Sequence, residues 1–290
     1  MLSINFKDNL IKYILLGAAS TSILIVLLIF LFLGKEAVPF ISKPGLSALL
    51  DIRWEPVSFV KERFGLWPLL SGSIVVTFFA TLIAVPFGVI GAVYIAEIAT
   101  PLEREIFKPF IELLAGIPSV VIGFFGLIVL APIIKDLFNL PSGLTALTGA
   151  LLLALMAIPT IITISEDAIK NVPLSYKEAS LALGATRMQT IWRVIFPAAL
   201  SGIVAAIMLG VGRVIGETMA VLMCTGNAPI LTLSPVESVR TMTATIAAEM
   251  GEVAVGDTHY SALFWVGLVL LVITFIINII SQKVLRKYQR

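Results

Sequence analysis

Six stretches of the chain run long without a charged side chain: Tyr13–Gly34, Phe64–Ala96, Leu113–Ile134, Leu137–Ser165, Val194–Gly212 and Tyr260–Gln282. A helix needs roughly 20 apolar residues to cross about 30 Å of hydrocarbon. The second and fourth stretches exceed one span, and Gly65–Pro68 and Pro141–Gly143 are their loop ends. The fifth is short and is expected to continue through "LGVGRVIGETMAV" towards Met223. The expectation is an all-α integral membrane protein, one transmembrane domain over 1–290. Its six helices fall at about 13–34, 69–96, 113–134, 144–165, 199–223 and 260–282, with a long loop at 166–197 and outer loops at 35–68 and 224–259.

Composition closes off most other classes. Charged residues make up 13% of the chain, against about a quarter in a soluble domain. A net charge of +2 and the lack of a Lys/Arg-rich arm argue against nucleic acid as a partner. The one cysteine, Cys224, rules out an internal disulfide and a Cys-based metal site, and the one histidine, His259, rules out a His cluster. No catalytic or metal-ligating set is expected. The first charge-free run is too long for a signal-peptide core and is followed by no clear cleavage site, so it reads as a retained span.

Loop charges set the expected orientation. With the N-terminus in the cytoplasm, the inner segments hold Lys7, Lys12, Arg104, Lys108, Lys170, Lys177, Arg187, Arg193, Lys283, Arg286, Lys287 and Arg290. The outer ones hold only Lys35, Lys43, Arg53, Lys61, Arg63, Lys135 and Arg240. Both termini are therefore expected inside. Pro86, Pro118, Pro132 and Pro159 lie in or near spans, where each removes a backbone donor.

The longest inner segment reads "EDAIKNVPLSYKEASLALGATRMQTIWRVIFP". Ser175 and Glu178 have capping-box spacing, so a helix over Tyr176–Leu183 is expected, ending at Gly184 in a left-handed turn. A second helical piece follows, with Ile191, Trp192 and Ile195 available for burial. Two short helices at an angle would form a rigid protrusion able to dock into another protein.

"EASLALGATRMQTIWRVIFP" resembles the EAA loop of ABC-importer permeases: Glu-Ala-Ala, a glycine four residues on, then an apolar pair and proline. Glu178, Ala179 and Gly184 match, Pro197 stands at the right distance, and Ser180, Val194 and Phe196 are mild departures. The resemblance implies a type I ABC-importer permease fold whose coupling helix seats in a separate ATPase subunit, with Glu178, Ala179, Gly184 and Arg187 as the coupling residues. The chain has no Gly-rich phosphate loop of the G-x-x-x-x-G-K-[ST] kind, so ATP and Mg would sit on the partner and no cofactor is expected here.

"IELLAGIPSVVIGFFGL", "WEPVSFVKERFGLWPLLSGS" and "GRVIGETMAVLMCTGN" are similar to the phosphate-importer permease subunit of the PstC type. The sister PstA type is alike around the EAA loop, and a permease for sulfate or molybdate would share that loop too. An ATPase-independent transporter would show inverted repeats, and none is evident. The resemblance implies a multi-pass protein of the inner membrane. Its implied partners are a PstA-type sister permease, an ATPase dimer, an extracytoplasmic phosphate-binding protein, inorganic phosphate and membrane lipid.

Arg213 and Glu217 fall inside the fifth expected span, where a charge costs about 2.5–3.5 kcal/mol even on the lenient insertion scale. Four residues apart on a helix, they can neutralise each other. Two roles follow: a structural ion pair, or a way-station where Arg213 offers donors to phosphate oxygens and Glu217 holds it when the site is empty. Gly212 and Gly216 form a G-x-x-x-G that invites close helix packing beside that stripe. On the outer side, Ser234 as N-cap, Pro235 and Glu237 predict a helix ending near Gly251. Trp54 and Trp67 are expected to be interfacial anchors, and His259 an interfacial residue without a catalytic role.

Overall fold

The computed structural model describes residues 4–58 and 60–288. Six helical stretches are long and apolar enough to cross a membrane: Asp8–Ser42, Trp67–Ile98, Ser119–Phe138, Ala146–Lys170, Arg187–Gly216 and Thr258–Ile280. The elements that make them up are α1 (Ile4–Ser42), α2 (Trp67–Val93), α3 (Pro101–Gly116), α4 (Ser119–Phe125), α5 (Ala131–Phe138), α6 (Ala146–Lys170), α7 (Leu174–Ala182), α8 (Arg187–Thr190), α9 (Phe196–Gly216), α10 (Met219–Cys224), α11 (Met242–Glu249) and α12 (Thr258–Tyr288). Single π-turns at Tyr94–Ile98, Gly126–Leu130 and Ile191–Ile195 extend α2, join α4 to α5 and join α8 to α9. Such turns insert one extra residue and leave carbonyls to be satisfied from outside the helix. Two-residue strands β1 (Trp54–Glu55) and β2 (Arg63–Phe64) pair antiparallel in the loop after α1.

The third span starts later than expected. Leu113–Gly116 close α3, a separate amphipathic helix, and Pro118 in extended conformation restarts the chain at Ser119. Proline disfavours helix in the residue before it, which is why the charge-free run splits here. Thr100 begins α3 with a full capping box: its hydroxyl accepts from the Glu103 N–H and the Glu103 carboxylate accepts from the Thr100 N–H.

The centre of the bundle is α6, the most buried of the six spans, flanked by α2 and α9. Ile161 of α6 fills the space between two glycines. A Cβ on Gly88 of α2 would lie 2.6 Å from its Cγ2, and a Cβ on Gly210 of α9 would lie 2.7 Å from its Cγ1. Small residues let membrane helices approach closely and gain van der Waals contact. By contrast α1 lies on the periphery against α12, through Trp265 Nε1 donating to Ala37 O at 2.7 Å and an edge-to-face contact of Phe32 with Phe264.

At the end of the bundle near residues 54 and 249, the loops pack with the ends of α1, α2 and α12 into a second core around Phe40, Trp54, Phe64, Leu69, Leu263 and Val266. Glu249 of α11 anchors it, accepting from Trp54 Nε1 at 3.0 Å and His259 Nε2 at 2.9 Å and pairing with Arg240. Trp54 is therefore buried, not an interfacial anchor, because Glu249 supplies the acceptor that water would otherwise supply. His259 is buried with it, while Trp67 stays half exposed.

The helix expected to start at Ser234 starts instead at Thr241, whose hydroxyl accepts from Ala244 N–H. The Pro235 and Glu237 carbonyls are already engaged, accepting from the Leu147 and Ala146 amides at the start of α6. Residues 235–239 thus serve as a cap for another helix and do not fold into their own.

Candidate substrate pathway and coupling face

The stretch 209–221 is not one helix. α9 stops at Gly216, Glu217 is extended (φ −71°, ψ 134°), and α10 begins at Met219. Gly210, Gly212 and Gly216 in the last two turns weaken the helix, and the Glu217 carbonyl finds a partner outside it, accepting from Thr243 Oγ1 of α11 at 2.9 Å. The expected helical stacking of Arg213 on Glu217 is therefore lost. Glu217 Oε1 accepts from the adjacent Thr218 N–H at 3.2 Å, and among the described residues Arg213 forms no ion pair.

Arg213 instead points across to α6, where Nη1 donates to Thr160 Oγ1 at 3.2 Å. Helical side chains lean towards their own N-terminus, so the guanidinium lies lower in the bundle than its Cα. Thr160 is ten residues before Lys170, about 15 Å along the axis, which puts the contact near mid-span. A cation in the last turn of α9 is favoured by the helix dipole, and that offsets part of its burial. What results is a half-buried, permanently charged, planar donor set whose side-chain partner is a neutral hydroxyl. Thr160 was not singled out from sequence, since a threonine in a span carries no signal of its own.

Gly212 and Gly216 meet nothing within 4 Å of a notional Cβ. Among the described residues nothing covers their face of α9, and Leu209 on α9 and Met219 at the start of α10 are exposed too.

At the opposite end from Glu249, α7 ends at Ala182 and Gly184 takes φ +84°, the left-handed turn expected of it. Ser175 makes no cap: Pro173 precedes the helix and no side-chain capping bond forms. α8 does have a capping box, Thr186 with Gln189, and runs on through its π-turn into α9. The second short helix is thus the foot of the fifth span. Ile191 and Ile195 are buried as expected, whereas Trp192 is exposed. Glu178, Ala179, Gly184 and Arg187 are all exposed, beside Tyr176, Leu181 and Leu183, the last 90% exposed. Arg187 also turns inward, Nη2 donating to the carbonyl of Glu97 at the end of α2.

A bundle of this kind, with six apolar spans, a mid-span cation and an exposed helical elbow between its last two central spans, is that of a multi-pass membrane protein. Residues 84–290 match the family of binding-protein-dependent transport system inner membrane components, and the chain belongs to that family. It is 40% identical to the probable ABC transporter permease protein YqgH of Bacillus subtilis over 85% of this chain and 80% of that one. It is 37% identical to the phosphate transport system permease protein PstC of Mesorhizobium japonicum, over 90% of this chain and 86% of that protein. Among solved structures, a bacterial ABC transporter involved in the import of the acidic polysaccharide alginate aligns with a TM-score of 0.64 at 16% identity, covering 99% of this chain and all of the matched chain. The inward-facing MetNI methionine ABC transporter aligns with a TM-score of 0.60 at 20% identity, covering 86% of this chain and 99% of that one. The fold is that of an ABC-importer permease.

Proposed function

We propose that the chain is the PstC-type permease subunit of an ATP-driven importer of inorganic phosphate. The observation that carries the cargo is Arg213: a mid-span guanidinium with a neutral partner keeps donors free for an oxyanion, and Arg presents them in a geometry matched to phosphate. The names of the relatives agree with that reading. Glu217, one break away from Arg213, would accept a hydrogen bond from protonated phosphate and would turn away sulfate, which has no proton to give.

The uncovered Gly212–Gly216 face of α9 would pack on a PstA-type sister permease, so that the pathway lies between the two subunits. The exposed elbow with Glu178, Ala179, Gly184 and Arg187 would seat in an ATPase subunit, which would hold ATP and Mg. The loops around Glu249 would then face the extracytoplasmic phosphate-binding protein. Both termini would be cytoplasmic, and α1 would lie against lipid.

The test is reconstitution of the four-component importer in vesicles, with ATP hydrolysis and uptake measured against phosphate, sulfate and molybdate. Phosphate alone should stimulate both, and R213Q should lose uptake while the complex still assembles. Stimulation by another oxyanion in place of phosphate, or wild-type uptake by R213Q, would overturn the proposal.

A further inference from the structure

α7 has no buried residue, so apolar packing does not hold it to the bundle. Beneath it lies a cavity of about 240 Å³ lined by Glu97, Ile169, Lys170, Pro173 and Lys177 among others. A helix in that position needs a polar attachment if it is to move the spans at all.

Such an attachment is present, and it converges on one residue. Glu97 lies in the π-turn that ends α2 and is only 9% exposed. Its Oε2 accepts from Lys177 Nζ of α7 at 2.5 Å, across 80 residues of sequence. Its carbonyl, left free where the helix ends at Ile98, accepts from Arg187 Nη2 of α8. The neighbouring Ala96 carbonyl accepts from Arg104 Nη2 of α3 at 2.6 Å. Ser180 Oγ of α7 and Thr190 Oγ1 of α8 are 3.0 Å apart and close the elbow on itself. One side of the elbow is thus tied to the carboxylate of Glu97 and the other to its backbone.

From this convergence we infer that Glu97 is a positioning residue for coupling: with Lys177 it locks the elbow to the foot of α2, so that a push on α7 moves the second span with the fifth. The inference rests on the reading of the elbow as the ATPase-docking element. A buried carboxylate held by a cation on another element resists displacement, since separating the two leaves an uncompensated charge. Without that lock α7 would tilt into the cavity beneath it and the push would be spent there.

The experiment uses the assembled importer in vesicles, with inorganic phosphate as the probe and three readouts: ATPase co-purification, ATP hydrolysis, and phosphate moved per ATP. E97Q should keep the first two and lose most of the third. E97C/K177C should be uncoupled in the same way, and a short bismaleimide bridge between the two thiols should restore coupling. Cys224 is buried and would not compete for the reagent. A normal phosphate-to-ATP ratio in E97Q, or a bridged double variant as uncoupled as the unbridged one, overturns the inference. If E97Q fails to assemble, the bridged variant decides the matter. E178A separates the two readings: if it leaves ATPase co-purification unchanged, docking through the elbow is wrong, whatever Glu97 does.

Discussion

The Arg213 guanidinium on α9 and the Thr160 hydroxyl on α6 lie 3.2 Å apart. That bond ties the cation to a neighbouring span without neutralising it. T160V should therefore leave uptake in place and raise the half-saturating phosphate concentration about fivefold, matching the roughly 1 kcal/mol net worth of one hydrogen bond. R213K, which keeps charge and loses the planar fork, should fail. Transport titrations of the two variants side by side check this, and equal behaviour would contradict it.

Ile161 packs between Gly88 and Gly210 at distances that no Cβ could share. G210A should lower the stability of the purified subunit by about 1–3 kcal/mol through overpacking. Because both groups occupy one space, trimming Ile161 should relieve the clash, and I161A/G210A should cost less than the sum of the single changes. Thermal unfolding in detergent measures all three.

Glu249 accepts from Trp54 and His259 and pairs with Arg240, and its side chain is only 14% exposed. E249A should cost about 3–5 kcal/mol, the range for breaking a buried pair from one side. The loop carrying Trp54 should then become susceptible to protease. W54F removes a single donor, and about 1 kcal/mol is expected for it.

The Glu103 carboxylate is held below its usual range, first by the backbone N–H of Thr100, then by the Thr100 hydroxyl and by Tyr94. A group lowered by folding contributes stability above its unfolded pKa and loses it as pH falls through the folded one. The first turn of α3 should therefore show lower amide protection factors in acid than at neutral pH, once the slower intrinsic exchange of acid solution is divided out. E103Q should abolish that dependence, which hydrogen exchange over 102–106 can follow.

The spans were legible because length and absence of charge suffice to mark them, and the left-handed turn at Gly184 because only glycine takes it readily. The break after Gly216 was not, since the oxygen it frees bonds Thr243, 26 residues on. Nor was the fate of Ser234: its cap spacing is sound, yet the carbonyls that follow are claimed by the amides of α6. In both cases a distant partner overrode a sound local signal, whereas the Ser175 cap failed locally, because the helix already begins at Leu174 with Pro173 as its cap. The pairing of Arg213 with Glu217 failed with the break after Gly216, and the same failure left the arginine available.

The first helix gains a meaning from its length. At 39 residues, α1 measures about 58 Å, nearly twice the hydrocarbon it must cross. The mismatch is absorbed by leaning or by standing proud of the membrane. Its contacts with α12, at Phe32 and Ala37 among others, lie in its C-terminal part, and residues 8–29 are exposed. A bilayer of different thickness should therefore be met by a change in the lean of α1 before it is felt in the packing of α2, α6 and α9.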